Sequence, residues 1–478
     1  MRSGGRSSRG VSEQGRRIDQ THKREAADGP CVASMTSLNL PERRNELSAG
    51  VLRPFNATRE GDVGLYRKSR LAGRRKRSIG RIRNPMEGAM TRESPRREFL
   101  GGVAGAVAAI AVGGCAPATM PAAQGKTVLA YVGGYTAKER NGRGEGVSVY
   151  RIDPASGAWT QVQLLKDIVN PSWLTLDRQQ RVLYSAHGDG TEAIAYAIDA
   201  GTGQIRVLNR QPTSGKNGVR LGIDASNRFL VCANYSSGTV AVLPINPDGS
   251  LGALSDLVTL EGKPGPHRTE QASAHPHDVA FDPRGRFFIV PDKGLDAVFV
   301  FRVDPATGKL VAAAPASVPS RPGAGPRHAD FHPTKPYAYV LNELDSTLTT
   351  YRFDSERGEL KPLQTITTLP PSFTGNSTTS EIAVAPSGRF VYASNRGHDS
   401  IAIFSVDEGT GTLSSVGWES TQGKTPRFFG LDPSGAILYA ANQDSDTIVV
   451  FRVDQKTGKL TPTGQVVRVG SPSTIVFR

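Results

Sequence analysis

The chain has 478 residues, 58 Lys+Arg against 44 Asp+Glu, a formal net charge of +14, and 3 Cys. With Cys232 the sole cysteine beyond residue 126, a disulfide framework and a Cys-based metal site are excluded from that region. The charge is local: residues 1–90 hold 20 Lys+Arg and 9 Asp+Glu, which leaves about +3 for the remainder, so basicity gives no argument for nucleic-acid binding, and no nucleic-acid module is recognisable.

The Arg- and Ser-rich stretch 1–90 has few apolar clusters and is expected to be disordered. It is also expected to be an over-extended reading frame, with Met86 or Met90 as a natural start. In residues 91–125, Ser94-Pro95-Arg96-Arg97-Glu98-Phe99-Leu100 reads as a twin-arginine export signal ahead of an apolar run at 103–112. That run has the length of a signal-peptide apolar region and is too short to span a bilayer. Val112-Gly113-Gly114-Cys115 is similar to a lipobox, in which Cys115 is lipidated and residues 117–125 form a tether; an ordinary peptidase site near Ala116-Pro117-Ala118 is the alternative. The expected route is the twin-arginine machinery, and the expected place is the periplasm, free or membrane-anchored, or the cytoplasm if the leader is unused.

From residue 126 onward one phrase recurs: an apolar pair, an Asp-Pro-x-Gly turn, an aromatic-rich run, an Asn, a second apolar run ending near Arg-Val-Asp, then Gly-x-Leu. Gly430-Leu431-Asp432-Pro433-Ser434-Gly435 through Thr457-Gly458-Lys459-Leu460 is the clearest copy, and Val279-Ala280-Phe281-Asp282 through Gly308-Lys309-Leu310 is nearly its twin. The anchors Asp177, Asp224, Asp282, His332, Ala385 and Asp432 stand 47 to 58 residues apart. This spacing suits propeller blades of variable loop length. The β-branched and aromatic runs are strands, broken by Gly, Asp, Asn and Pro at turns. Units begin near residues 127, 171, 219, 276, 326, 380 and 426. The prediction is an all-β, seven-bladed β-propeller of four-stranded blades over 126–478. The segment Ser471-Pro472-Ser473-Thr474-Ile475-Val476-Phe477 is predicted to close the first blade, which removes exposed sheet edges. Cys232 is predicted to be a buried strand thiol.

Recurring polar residues in such a fold mostly lock blades, so residues that break the repeat carry the information. They cluster in blades four to seven: Ser273-Ala274-His275-Pro276-His277-Asp278, Gly325-Pro326-Arg327-His328, Asn342-Glu343, Glu381, Asn395-Arg396-Gly397-His398 and Pro426-Arg427. Of 8 His, four lie in these segments. Arg327 is expected to reach either the channel or the Asp278 region. His187, Asn234 and Tyr235 occupy the matching places in blades two and three, and His332 replaces a turn Asp. His275 and His277 share a strand face by the period of two, but spacing names no third ligand, so no metal site and no cofactor is expected. There is no Gly-x-Ser-x-Gly elbow and no phosphate-binding loop.

His275-Pro276-His277-Asp278, Gly323-Ala324-Gly325-Pro326-Arg327-His328 with Phe331-His332-Pro333, Tyr339-Val340-Leu341-Asn342-Glu343-Leu344, Thr425-Pro426-Arg427-Phe428 and Gly470-Ser471-Pro472 resemble the 6-phosphogluconolactonase family of the seven-bladed propeller type. The resemblance spans roughly 127–477 and extends to a fungal carboxy-muconate cyclase, whose proposed His, two Arg and Glu fall by motif on His277, Arg327, Arg396 and Glu343. It implies a metal-independent lactone hydrolase, with Glu343 or His277 as base and Arg327 supporting the oxyanion. Arg396, Arg427 and His328 would hold an anionic group, and His275, Asn342 and Asn395 complete the expected substrate-binding set. The expected partner is a small lactone, without nucleic acid, and the expected state is a monomer. A phosphosugar lactone sits poorly with an export leader, which points to another lactone or to an unexported product. The alternatives are a muconate-type cyclase or isomerase and a non-enzymatic exported binding propeller.

Overall fold

The computed structural model of the protein describes residues 128–478; the basic leader, the twin-arginine motif and Cys115 lie outside the described residues. Seven four-stranded antiparallel sheets form the seven blades of a propeller. Six blades take their strands in chain order, from the axis outward. Blade one instead pairs the C-terminal strand Pro472–Phe477 with Val128–Gly134, in a register that sets Val132 opposite Ile475 and Tyr131 opposite Val476. The predicted closure is thus found. The inner strands of successive blades touch around a closed ring.

Local chemistry explains the repeat. Asp282 Oδ1 accepts the backbone N–H groups of Arg286 and Phe287, each at 2.8 Å, and so fixes the turn between the first two strands of blade four. In blade five His332 does this work, with Nδ1 accepting from Thr334 at 3.2 Å and Lys335 at 3.0 Å. Gly308, at φ 69°, closes the turn between the third and fourth strands of blade four. The hydroxyls of Tyr131, Tyr184, Tyr339 and Tyr392 each donate to a glycine carbonyl of the following blade. Seven apolar clusters fill the seven gaps between blades. Cys232 is buried in one of them, where burial pushes its thiol up to about 12.

Ile475 is packed in the cluster between blades seven and one. Replacing it with Ala is expected to cost about 2–5 kcal/mol, the usual range for a buried aliphatic truncation. Val466→Ala, at an exposed position, should change stability by less than about 0.5 kcal/mol. Urea unfolding of both variants checks this, and equal effects would contradict the closure.

Candidate active site

In most blades the first residue of the inner strand pairs with the last residue of the second strand. Pro171 faces His187, Gly218 faces Asn234, Pro326 faces Asn342 and Pro426 faces Asn442. Pro276 meets Asp292 by an isolated bridge. The ladder then slips, so the next inner-strand residue has no cross-strand partner: Ser172, Val219, Arg327 or Arg427. In blade one it is Ser473, and blade six skips both Ser380 and Glu381. A bulge of this kind re-aims a side chain. Ser172, Val219, Arg327, Glu381, Arg427 and Ser473, with His277 from blade four, line one chamber of about 20 Å³. All seven blades contribute, which places the chamber on the propeller axis.

A second tier comes from the residue after the second strand. The backbone N–H groups of Tyr135, Tyr235, Lys293, Glu343 and Gln443 donate to the carbonyls of Ser471, Asn217, His275, Gly325 and Thr425. These bonds fix the backbone whatever the side chain. Tyr135, Tyr235, Lys293, Glu343 and the blade-six counterpart Arg396 line a cavity of about 190 Å³. His277, Arg427, Tyr135 and Val219 belong to both spaces, so they form one well with a narrow inner end.

Glu343 is the electrostatic hub. Its carboxylate lies 2.8 Å from Arg327 Nε, 2.9 Å from Lys293 Nζ and 3.3 Å from Arg396 Nη2. Burial works against its charge, but Arg396, Lys293 and Arg327 hold it well below the usual carboxylate range. Lys293 also pairs with Glu270 at 2.6 Å. Burial and the charge of Arg396 push Arg327 down to about 9, against the pull of Glu343, so it remains cationic at neutral pH. Arg327 Nη1 also donates to the Ser380 carbonyl. Arg427 has no carboxylate partner among the described residues; its guanidinium lies 5.2 Å from the Tyr135 ring centre.

His277 is buried, and burial together with Arg327 and His328 drives its basicity well below the ordinary value, so the ring is neutral. Its edge contacts are Tyr235 at 5.4 Å and His328 at 5.1 Å. Beneath it, Arg220 Nε reaches Asp278 at 2.7 Å, Arg220 Nη1 lies 3.4 Å from Glu381, and His328 Nδ1 donates to the same Glu381 oxygen at 3.0 Å. Arg220 covers the Trp173 ring at 3.7 Å. Burial raises Glu381 above the ordinary glutamate value and Asp278 to about 6.

The structure thus brings His277, Arg327, Glu343, Arg396 and Arg427 together in the well, with His328 at its inner end. Three predicted substrate contacts lie elsewhere. Asn342 Nδ2 donates to Thr347 Oγ1 at 2.9 Å and Thr349 Oγ1 at 3.0 Å, and Asn395 Nδ2 to the Thr368 carbonyl at 2.9 Å and Ser400 Oγ at 3.2 Å. These amides are spent away from the well, Asn342 within its blade and Asn395 partly on Thr368 at the end of blade five, as Asn442 is on the Thr421 carbonyl at the end of blade six. His275 stacks on Tyr235 at 4.4 Å and bonds its carbonyl through Nδ1, outside the well. Arg220, not Arg327, pairs with Asp278. His398 bonds Ser400 Oγ at 2.6 Å. His187 lines a separate groove of about 550 Å³ with Asp189, Glu192 and Arg210. That groove holds none of the repeat-breaking Glu or Arg side chains. Lys293, Tyr135 and Arg220 were missed. Lys293 and Tyr135 stand at the place already recognised through Glu343, Arg396 and Tyr235, and the same alignment finds them.

Residues 129–477 match the family described as "Lactonase, 7-bladed beta-propeller". The chain belongs to that lactonase family. Among its relatives is the 6-phosphogluconolactonase of Bacillus subtilis, 36% identical over 304 residues, which are 63% of this chain and 84% of that protein. Two solved structures also resemble this lactonase-family chain. The periplasmic gluconolactonase of Pseudomonas aeruginosa is 34% identical with a TM-score of 0.68, covering 73% of this chain and 99% of that one. A putative 6-phosphogluconolactonase from Bacteroides fragilis is 31% identical with a TM-score of 0.69, covering 75% and 100%.

Glu343→Gln leaves three buried cations without their shared anion and is expected to destabilise by about 3–5 kcal/mol. Because folding lowers the pKa of Glu343, its contribution is complete above the ordinary glutamate value of 4.5 and is lost only as pH falls through the lower folded value. The difference between wild type and variant, read by urea unfolding, should therefore hold constant at neutral pH and shrink only in strong acid.

Proposed function

We propose that the chain hydrolyses a sugar-derived lactone, without a metal, in the axial well. The observation that carries this reading is a neutral, buried imidazole, His277, held beside a cationic wall of Arg327, Arg396 and Arg427. Family membership supports the reaction class, and the names of the relatives support a sugar lactone.

His277 is a better base than Glu343. Glu343 is ionised but saturated by three cations, which weakens its pull on a proton. His277 is neutral, and no hydrogen bond reaches its Nε2 among the described residues, while its Nδ1 is sealed from solvent. In this reading Nε2 takes a proton from water as the oxygen attacks the lactone carbonyl. Arg327 supports the developing oxyanion. Collapse breaks the bond to the ring oxygen, which receives the proton from His277. The product is a hydroxy acid that ionises to a carboxylate. Arg427, free of a carboxylate partner among the described residues, with Arg396 holds that carboxylate or an acidic substituent of the substrate. The gluconolactonase relative with a periplasmic name, together with the twin-arginine motif, favours export and an unphosphorylated gluconolactone as substrate.

The test is the rate of δ-gluconolactone and 6-phosphogluconolactone opening over the spontaneous rate, with chelator present. Turnover of at least one is expected; none with either lactone, but turnover of a carboxy-muconate, would replace hydrolysis with cyclisation. His277→Ala should lower kcat by about 10²–10⁴-fold. Arg427→Met should raise KM by about tenfold or more, the loss of one charge-assisted hydrogen bond. Because His277 gains its proton only well below 6.5, kcat/KM should stay level as pH falls through that value. An acid limb at 6.5 would argue against this base.

A further inference from the structure

The inner chamber contains an unbalanced set of polar atoms. Ser172 Oγ, Trp173 Nε1, His277 Nδ1 and Glu381 Oε2 are all buried without a hydrogen-bond partner among the described residues, and all four residues line the same space of about 20 Å³. Native proteins leave few such atoms unsatisfied, and four around one chamber call for a common partner. The volume suits one water molecule, which needs about 10–15 Å³ and two to four polar partners.

The chemistry of two of the four atoms limits how that water is held. An ionised carboxylate oxygen only accepts, and an indole N–H only donates. One hydrogen of the water therefore goes to Glu381 Oε2, and one lone pair takes Trp173 Nε1–H. Ser172 Oγ can accept or donate; where it accepts the second hydrogen, the remaining lone pair takes an N–H from His277 Nδ1. The other Glu381 oxygen is already committed, at 3.0 Å from His328 Nδ1, 3.4 Å from Arg220 Nη1 and 3.2 Å from the Ile382 backbone N–H. Glu381 cannot turn away from the chamber without breaking these contacts.

We propose that Glu381 is a positioning residue: through one bound water in the chamber it holds the proton of His277 on Nδ1 and leaves Nε2 free toward the substrate well. Which nitrogen carries the proton is set by what the other nitrogen's partner demands. This inference rests on the reading of His277 as base, but its geometry can be tested independently of activity.

Glu381→Gln is the sharp variant. The three donors around Oε1 demand the amide oxygen there, so the NH2 faces the chamber. It then occupies a lone pair of the water, whose freed hydrogen turns to His277 Nδ1 and drives the proton to Nε2. Nitrogen-15 NMR of the histidine-labelled full chain reads this directly, with the His277 signals assigned by their loss in His277→Gln. Wild type should show a protonated Nδ1 and a bare Nε2, and Glu381→Gln the reverse. In lactone opening the variant should lose about 10²-fold in kcat, the low end of what one acid–base group supplies, with KM within about twofold. A crystal structure of the wild type should show a single water contacting the four atoms. A wild-type His277 protonated on Nε2, or a chamber without that water, overturns the inference even if Glu381→Gln fails to fold. If the protein opens no lactone but the tautomer and water are as expected, the proposed function fails and this inference stands.

Discussion

The slipped register at the start of the inner strands is the constraint on which the well depends. A regular ladder would alternate side chains between the two faces of each blade and point few at the axis. The slipped register after Pro171, Gly218, Pro326 and Pro426 frees one residue in each of those blades. Apolar packing between blades is untouched by what stands there. Val219 and Ser172 leave the wall bland on one side, while His277, Arg327 and Arg427 make the other side chemical. The second tier obeys the same logic, because its backbone bonds ignore the identity of the side chain.

Buried charge is costly unless it is paired and hydrogen-bonded. The well meets this demand with two anionic centres at different depths. Glu343 serves Arg327, Arg396 and Lys293 above, and Asp278 with Glu381 serves Arg220 and His328 below. Between them stands His277, neutral because burial and flanking cations oppose its protonation. Arg427 has no carboxylate of its own among the described residues, and it leaves the upper part of the well cationic.

The fold was legible in the sequence because the propeller repeat is written in turn chemistry: Asp at the first turn of a blade, Gly at its last, strands of β-branched residues between. The well was legible in part. Glu343, Arg396, Arg327 and His277 stood out by departing from the repeat. Asn342 and Asn395 did not belong with them. They are the rule at the end of second strands, matched by Asn234 and Asn442, and each amide bonds a Thr or Ser hydroxyl of its own blade. Sequence position alone did not separate a residue that ends a strand from its neighbour that enters the well. Arg220 was hidden by a different cause: it reaches Asp278 and Glu381 across three blades, a proximity that only the closed ring creates.

The pairing of Pro472–Phe477 with Val128–Gly134 has a consequence for timing. During synthesis the strand 128–134 emerges early, and its partner follows more than three hundred residues later. Through that interval blade one presents an open hydrogen-bonding edge, the kind of surface that recruits stray strands. Bringing the ends together also sets a long-range loop closure near the end of assembly. Ser473, carried on the closing strand, is one wall of the inner chamber. The chamber is thus completed by the same event that makes the ring, and an unlatched propeller would have seven blades' worth of residues but no finished site.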